Sequence, residues 1–338
     1  MTEIRLAIIG LGQWGKNYVR LFSHIPGAKI VRCCDVSRDR FDQMRPMLPE
    51  QVEFDADPRS IFQDRTIDAV ILASPSSTHY TLGLAALKSG KDLLVEKPMA
   101  LEPRQAAAMV KAARRLKRVL MVGHTFLFHP VIRKMKEYLR KRYLGRPYYF
   151  HSQRTNLGPI RSDVNTVLDL APHDISILLH LLESMPEKIQ AVGASFLNKG
   201  IEDAVSLILH FPRGIKAFIH VSWLEPLKMR RLIAVGEKRM MLFNDMNDHE
   251  PLRIYNKYVT GKTNYDDFAE YKTIVRDGDV RIPYIPAEEP LRNECRAFLD
   301  AVRARKVRLS DGAFGLQVVQ VLHACQKSLS QNGRLVSV

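Results

Sequence analysis

Apolar and polar positions follow one rhythm along the first third of this chain and another along the rest. Residues 4–9 form an apolar run of strand length, the pattern of a strand covered on both faces. Residues 16–25 then change to helical spacing, with Tyr18, Leu21, Phe22 and Ile25 on one side. The alternation repeats, with strands over residues 29–34, 67–73, 92–96 and 119–122 and helices over 78–89 and 102–117, the first of these closed by Gly90. Strands separated by helices require crossover connections, which are right-handed and join parallel strands.

After Gly123 the pattern changes. A helix over residues 130–142 opens with proline in its first turn, a strand follows over 148–155, and 163–183 is largely helical. Strands then come in succession over 189–198, 204–211, 215–223, 230–235, 239–243 and 252–255. Pro212-Arg213-Gly214 and Gly236-Glu237 supply hairpin turns, and no long crossover intervenes, so this sheet is expected to be mostly antiparallel. Helices over 288–305 and 313–330 close the chain and are expected to pack back on the first domain. The expectation is an α/β protein: a doubly wound parallel Rossmann sheet over residues 1–123, then an α+β domain over 124–338 with a large open-faced sheet. Helices cover one face of such a sheet, so the other is expected to join copies of the chain into a dimer or tetramer.

Lysine and arginine exceed aspartate and glutamate by 51 to 36, a formal net charge of +15. The excess is dispersed over helices, as in residues 111–118 and 133–136, with no basic tail, zinc-finger spacing or aromatic-interleaved RNA motif. No nucleic-acid partner is expected, and the charge suits solvated helix faces or the attraction of a phosphate-bearing substrate. No apolar run approaches the roughly 20 residues that span a bilayer, and residues 1–5 enter a strand without a signal-peptide pattern, so no membrane partner is expected. Four cysteines, two of them adjacent at Cys33-Cys34, form neither a metal spacing nor a disulfide framework. No metal is expected, and the expected compartment is the reducing cytoplasm.

The candidate chemistry gathers at strand ends. Gly10-Leu11-Gly12-Gln13-Trp14-Gly15 follows the first strand and opens a helix, the context a dinucleotide fingerprint requires. Its glycines permit a tight turn, close approach to a pyrophosphate and close helix packing; Gly10, Gly12, Gln13, Trp14 and Gly15 are the expected cofactor residues there. The second strand ends in Asp35, placed to accept ribose hydroxyls and repel a 2′-phosphate, which favours NAD over NADP, with Arg38 nearby to soften that preference. Ser74, Pro75 and His79 follow the third strand beside the expected cofactor position. The fourth ends in Glu96-Lys97-Pro98, at the carboxyl edge where open α/β sheets bind ligands. In the second domain Asp169 and His173 are four residues apart, on one side of a helix start marked by Pro172. Taken alone, Lys97 reads equally as a solvated strand-end charge, and Asp169 and His173 as a cap and a packed histidine. Candidate substrate contacts are His124, Arg154, Asn156, Arg161, Asn165 and Trp223.

With these pieces assembled, the chain resembles the glucose–fructose oxidoreductase/inositol dehydrogenase/rhizopine-catabolism (Gfo/Idh/MocA) family over essentially its whole length. The resemblance rests on the glycine turn, Glu96-Lys97-Pro98, the Asp169/His173 pair and the closing pattern Glu289-Pro290-Leu291…Glu294…Phe298. It implies an enzyme that uses NAD or NADP to oxidise or reduce a carbon of a sugar or cyclitol. It further implies Lys97 beside the nicotinamide and the reacting hydroxyl, His173 as acid/base, Asp169 as its carboxylate neighbour, and a cis Lys97–Pro98 bond. Asn165-Thr166-Val167-Leu168 stands where many members carry glycines, and Asp174 follows His173. With Ser222-Trp223-Leu224-Glu225-Pro226-Leu227-Lys228, this is similar to members that serve nucleotide-sugar, surface-polysaccharide or lipid A sugar synthesis. The implied reaction is oxidation of the 3-hydroxyl of a UDP-N-acetylhexosamine. Oxidation of free inositol or glucose is the alternative within the family, and a non-catalytic NAD-binding regulator the alternative outside it.

Overall fold

Strand β1 (Ile4–Ile9) is buried except at Arg5, as its apolar run requires. In the computed structural model, which describes residues 3–259 and 275–338, it is the centre of a parallel sheet. Its companions are β2 (Ala28–Cys34), β3 (Glu53–Asp55), β4 (Ala69–Leu72), β5 (Asp92–Glu96) and β6 (Leu120–Gly123). The six strands lie in the order β3-β2-β1-β4-β5-β6, all parallel. Strand order therefore reverses at β1, which puts the glycine turn at the switch point where such sheets bind ligands. Helices α1 (Gln13–Phe22), α2 (Arg38–Met44), α3 (Arg59–Gln63), α4 (His79–Lys88) and α5 (Pro103–Arg115) make the crossovers. Helix α1 starts three residues before the expected boundary because Gly12 caps it in extended conformation.

The chain divides into two units, Met1–Phe128 with Glu288–His323 and His129–Ala287 with Ala324–Val338. The first unit thus includes residues far along the chain. Leu291, Cys295, Phe298 and Leu299 share a buried core with Ile8, Tyr18 and Phe22.

The second unit opens with α6 (Pro130–Arg140) and β7 (Pro147–Leu157), followed by α7 (Thr166–Asp169) and α8 (Ala171–Leu182). The sequence suggests one helical stretch over 163–183. It breaks at Leu170 because Pro172 has no N–H for the carbonyl of Leu168. Strands β8 (Lys188–Ala194), β9 (Ala204–His210), β10 (Lys216–Ser222), β11 (Leu224–Gly236), β12 (Met240–Asn244) and β13 (Leu252–Tyr255) follow. A small pair, β14 (Tyr258–Val259) with β15 (Val275–Arg276), stands apart, and β16 (Val280–Arg281) and β17 (Val336–Ser337) edge the main sheet. Among the described residues that sheet has nine strands in the order β16-β13-β12-β11-β7-β10-β9-β8-β17. It is mostly antiparallel, as expected. However, β7 lies between β10 and β11 and runs parallel to β10. Strand β7 therefore occupies the middle of the sheet, and its inward side chains Phe150, Ser152 and Arg154 are buried. Helices α9 (Pro290–Ala304) and α10 (Gly312–Ser330) close the chain.

Candidate active site

The glycine turn is built as its sequence requires. Gly10 has φ +91°, and a Cβ there would lie 2.4 Å from the backbone nitrogen of Ser74. A Cβ on Gly15 would lie 2.0 Å from the carbonyl oxygen of Gly10, so the glycine is what lets α1 pack on the turn. Above Gly12 a Cβ would meet nothing within 4 Å, which leaves that side open to an approaching group. No acidic side chain stands in the first turn of α1, so its N–H groups and positive end are available to a pyrophosphate. Gln13 is exposed, while Trp14 packs against the core cluster.

Asp35 is buried at the end of β2. Its Oδ2 accepts the N–H of Leu11 at 2.7 Å and its Oδ1 the N–H of Ser37 at 2.9 Å. The carboxylate thus braces the glycine turn, and the remaining lone pairs of its two oxygens are those a ribose would use. Arg38 does not face it. That side chain lies over Phe41 and Phe54 and pairs with Asp42, while Arg40 reaches both Asp35 oxygens at 3.4 Å. The cation beside the ribose position is therefore Arg40, since α2 begins at Arg38 and its turn carries residue 40 back toward β2. An open glycine cradle followed by a braced carboxylate fits a nicotinamide dinucleotide.

At the end of β5 the Lys97–Pro98 peptide is cis. Glu96 is buried; its Oε2 accepts the backbone N–H of Lys97 at 3.1 Å, and its Oε1 lies 2.7 Å from the Tyr18 hydroxyl, which also lies 2.9 Å from Oε1 of Glu294. His79 is buried, with ring nitrogens 2.8 Å from the Pro98 carbonyl and 2.9 Å from the Ser74 carbonyl. Burial pushes its pKa down. The neutral ring has one N–H and donates to only one of these carbonyls, but it is packed between the Ser74 loop and Pro98 rather than facing a cofactor. Ser74 Oγ pairs with Thr78 Oγ1 at 2.6 Å, and Pro75 is exposed beside it.

His124 follows β6. Ser310 Oγ donates to the Val122 carbonyl at 2.7 Å and so accepts from Nδ1 of His124 at 2.8 Å. The imidazole is the Nδ1–H tautomer, and its buried Nε2 is an acceptor with no hydrogen-bond partner among the described residues. Burial, helped by the charge of Lys97, pushes its pKa down to about 3, so the ring is neutral.

In the second unit Asp169 ends α7, its Oδ2 accepting the Trp223 indole N–H at 3.1 Å and its Oδ1 the Arg161 guanidinium at 3.2 Å. Arg161 also holds Asp163. His173 is buried in the first turn of α8. Its neighbour Asp174 accepts from Ser152 Oγ at 2.7 Å and from Arg154 at 2.8 and 3.2 Å. Arg154, a candidate substrate contact, is thus a buried brace fixing this helix to β7. Asn165 likewise caps α7 through the N–H of Leu168 and bonds Glu202 and Gln326. Asn156 folds its amide over Gly158 at the end of β7.

Sequence reasoning gave no site role to Tyr18, Arg40, Glu294 or Ser310, although it placed Tyr18 on the apolar side of the first helix and Glu294 in the closing pattern. Of these, Glu294 left a signal: it sits with Leu291, Cys295 and Phe298 on the apolar stripe of α9, where a carboxylate needs a partner.

The glycine cradle with its braced aspartate is that of a dinucleotide-binding Rossmann domain, and the comparisons place the chain among NAD(P)-dependent dehydrogenases. Residues 4–124 match the oxidoreductase family, NAD-binding Rossmann fold, and residues 132–242 the GFO/IDH/MocA C-terminal domain. The chain is 25% identical to UDP-N-acetylglucosamine 3-dehydrogenase of Acidithiobacillus ferrooxidans, over 94% of this chain and 95% of that protein. It is 22% identical to myo-inositol 2-dehydrogenase of Thermotoga maritima, over 97% of each. A solved oxidoreductase structure from Magnetospirillum magnetotacticum superposes with a TM-score of 0.82 at 31% identity, covering 96% of this chain and 100% of that one. The chain belongs to the GFO/IDH/MocA family of NAD-binding oxidoreductases.

Proposed function

We propose that this protein oxidises a secondary hydroxyl of a sugar, the 3-hydroxyl of a UDP-N-acetylhexosamine, to a 3-keto sugar with NAD. NAD held by the Gly10–Gly15 turn and Asp35 would supply the acceptor for the hydride of the carbinol carbon. The hydroxyl proton must leave at about the same time, which needs a base near neutral pKa on the substrate oxygen. His173 is that base in this reading, with Asp169 as its carboxylate neighbour. Lys97 donates to the oxygen as negative charge develops on it. The neutral His124, with an acceptor at Nε2, takes a hydroxyl or amide N–H. Asp35 accepts the ribose hydroxyls, while Arg40 beside it tolerates a 2′-phosphate and makes NADP the second cofactor.

The observation that carries the reaction class is Lys97 at the carboxyl end of β5 in the sheet that bears the glycine cradle. The nucleotide sugar is supported by the likeness to the Acidithiobacillus enzyme over nearly the whole chain and by the +15 charge, which suits a diphosphate. Oxidation of a free cyclitol is the second reading, favoured by the likeness to the Thermotoga enzyme. Four buried free thiols suit the reducing cytoplasm, and the outer face of the large sheet suits a homo-oligomer. Among the described residues no helix is long and apolar enough to cross a membrane.

The test is absorbance of reduced nicotinamide after mixing the protein and NAD with UDP-N-acetylglucosamine, myo-inositol or glucose, with Lys97→Ala run alongside. A single-turnover burst with the nucleotide sugar alone, lost in Lys97→Ala, is the expected result. A burst with a free polyol instead keeps the reaction and overturns the substrate. NAD binding without reduction by any of them favours a regulator.

A further inference from the structure

Beneath the Lys97 strand end, one hydroxyl stands between two carboxyl groups. Tyr18 Oη lies 2.7 Å from Glu96 Oε1 and 2.9 Å from Glu294 Oε1. Tyr18, Glu96 and Glu294 are 0%, 5% and 0% exposed, so the arrangement is shut off from bulk solvent. A phenol carries one proton and can donate to only one of these oxygens. The other contact is a hydrogen bond only if that carboxyl is itself protonated and Tyr18 accepts from it. Two bare carboxylates around one hydroxyl would combine like-charge repulsion with desolvation of both. The distances therefore count two protons among the three groups, and one negative charge.

We propose that Tyr18, Glu96 and Glu294 form a buried proton-sharing cluster that holds a single negative charge behind Lys97, with Tyr18 and Glu294 as positioning residues for that lysine. The proposal rests on the reading of Lys97 as catalytic. Glu96 connects the two, since its second oxygen accepts the Lys97 backbone N–H at 3.1 Å. Gly123, opposite Glu96 on β6, makes room for the cluster: a Cβ there would lie 3.1 Å from Tyr18 Oη and 3.2 Å from Glu96 Oε1.

The surroundings say where the proton rests. Burial, with the Glu96 charge added, pushes Glu294 up to about 8. Glu96 is raised by burial too; the Tyr18 hydroxyl opposes the rise in both carboxyls, but only Glu96 also has the charge and the backbone N–H of Lys97 against it. The proton therefore settles on Glu294 and the charge on Glu96, nearer the lysine. From α1 the cluster faces Tyr18, whose own proton burial holds far above the usual phenol range. From the end of β5 it faces Glu96 and Lys97, and from α9 Cys295, whose thiol burial keeps neutral. Glu289 and Arg20 lie farther out and pair with each other. His124 beyond β6 is neutral. Loss of the Glu294 proton would put a second negative charge behind Lys97 and hold the lysine proton more tightly.

Infrared titration of the whole protein tests this without any substrate. The expected spectrum keeps an un-ionised carboxyl stretch at neutral pH, where exposed carboxyls are ionised. That band is expected to vanish as pH rises through about 8 and to be missing from Glu294→Gln. No such band in the wild type at neutral pH, or the same band in Glu294→Gln, overturns the cluster. The wild-type titration needs no variant, so a Glu294→Gln that does not fold leaves the test standing. In turnover, kcat/KM of Glu294→Gln is expected to depart from wild type by a factor that grows above about pH 8. One factor at every pH would mean lost packing only and would overturn the positioning role. Absence of turnover with every sugar sinks the proposed function and leaves the infrared result intact.

Discussion

A single carboxylate, Asp35, shapes the cofactor cradle before any cofactor arrives. It accepts the N–H groups of Leu11 and Ser37, so the turn between β1 and α1 is fixed from the end of β2. Removing the acceptor leaves a buried N–H unsatisfied, at about 1–3 kcal/mol. In Asp35→Ala the dissociation constant for NADH is therefore expected to rise roughly tenfold, measured by titrating the cofactor's fluorescence. Unchanged binding would mean that neither the brace nor the ribose contact matters. Arg40→Ala is expected to raise the ratio of NADPH to NADH dissociation constants, because the cation near the ribose position is lost. The glycines and Asp35 could be read from sequence because each answers a local backbone or spacing demand. Arg40 could not, because which of Arg38 and Arg40 turns back toward Asp35 depends on where α2 starts.

Helix α8 presents His173, and the sheet holds that helix through one buried ion pair. Asp174, the next residue, is bound bidentately by Arg154 and capped by Ser152, with the paired side chains 7% and 3% exposed. Breaking one partner of such a pair leaves an uncompensated buried charge, at about 3–5 kcal/mol. Asp174→Ala is expected to lower the unfolding free energy by that margin, seen as a lower urea midpoint, and, on the proposed role of His173, to reduce turnover by misplacing it. The double variant Arg154→Met/Asp174→Leu is expected to recover most of the stability. Equal midpoints for Asp174→Ala and wild type would show that the pair does not anchor the helix. Here sequence reading ran out for a physical reason. Most strands and helices are local patterns and were legible, including the helix start at Pro172, whereas the short α2, β3 and α3 and the two-residue strands β14 to β17 were not read. The insertion of β7 between β10 and β11 is a long-range pairing that no local pattern encodes. It turned Arg154 from a candidate ligand into a brace.

We propose that copies of the chain assemble through the face of the nine-stranded sheet opposite its own helices. Inward positions such as Leu207, Ile219, Phe150 and Leu232 are buried, and the alternate positions point the other way. Those outward positions include large apolar groups: Phe218 pairs with Ile208 on β9 and lies opposite His151 on β7, with the Tyr149 ring 6.0 Å away edge-on. Val192, Tyr149 and Phe218 are 56%, 40% and 37% exposed in the single chain. An apolar stripe across several strands, flanked by Lys216 and Lys188, suits the proposed contact with a second copy. A charge in its middle would have to be desolvated on both copies, so Phe218→Glu is expected to split the assembly. Light scattering after gel filtration should give a multiple of the 38.6 kDa chain mass for wild type and the single-chain mass for the variant, with unchanged far-ultraviolet circular dichroism. The wild-type midpoint of thermal unfolding should also rise with protein concentration while that of Phe218→Glu does not. A variant that keeps the wild-type mass would place the interface elsewhere on the chain, and a wild type of single-chain mass would mean that this face serves something other than a second copy.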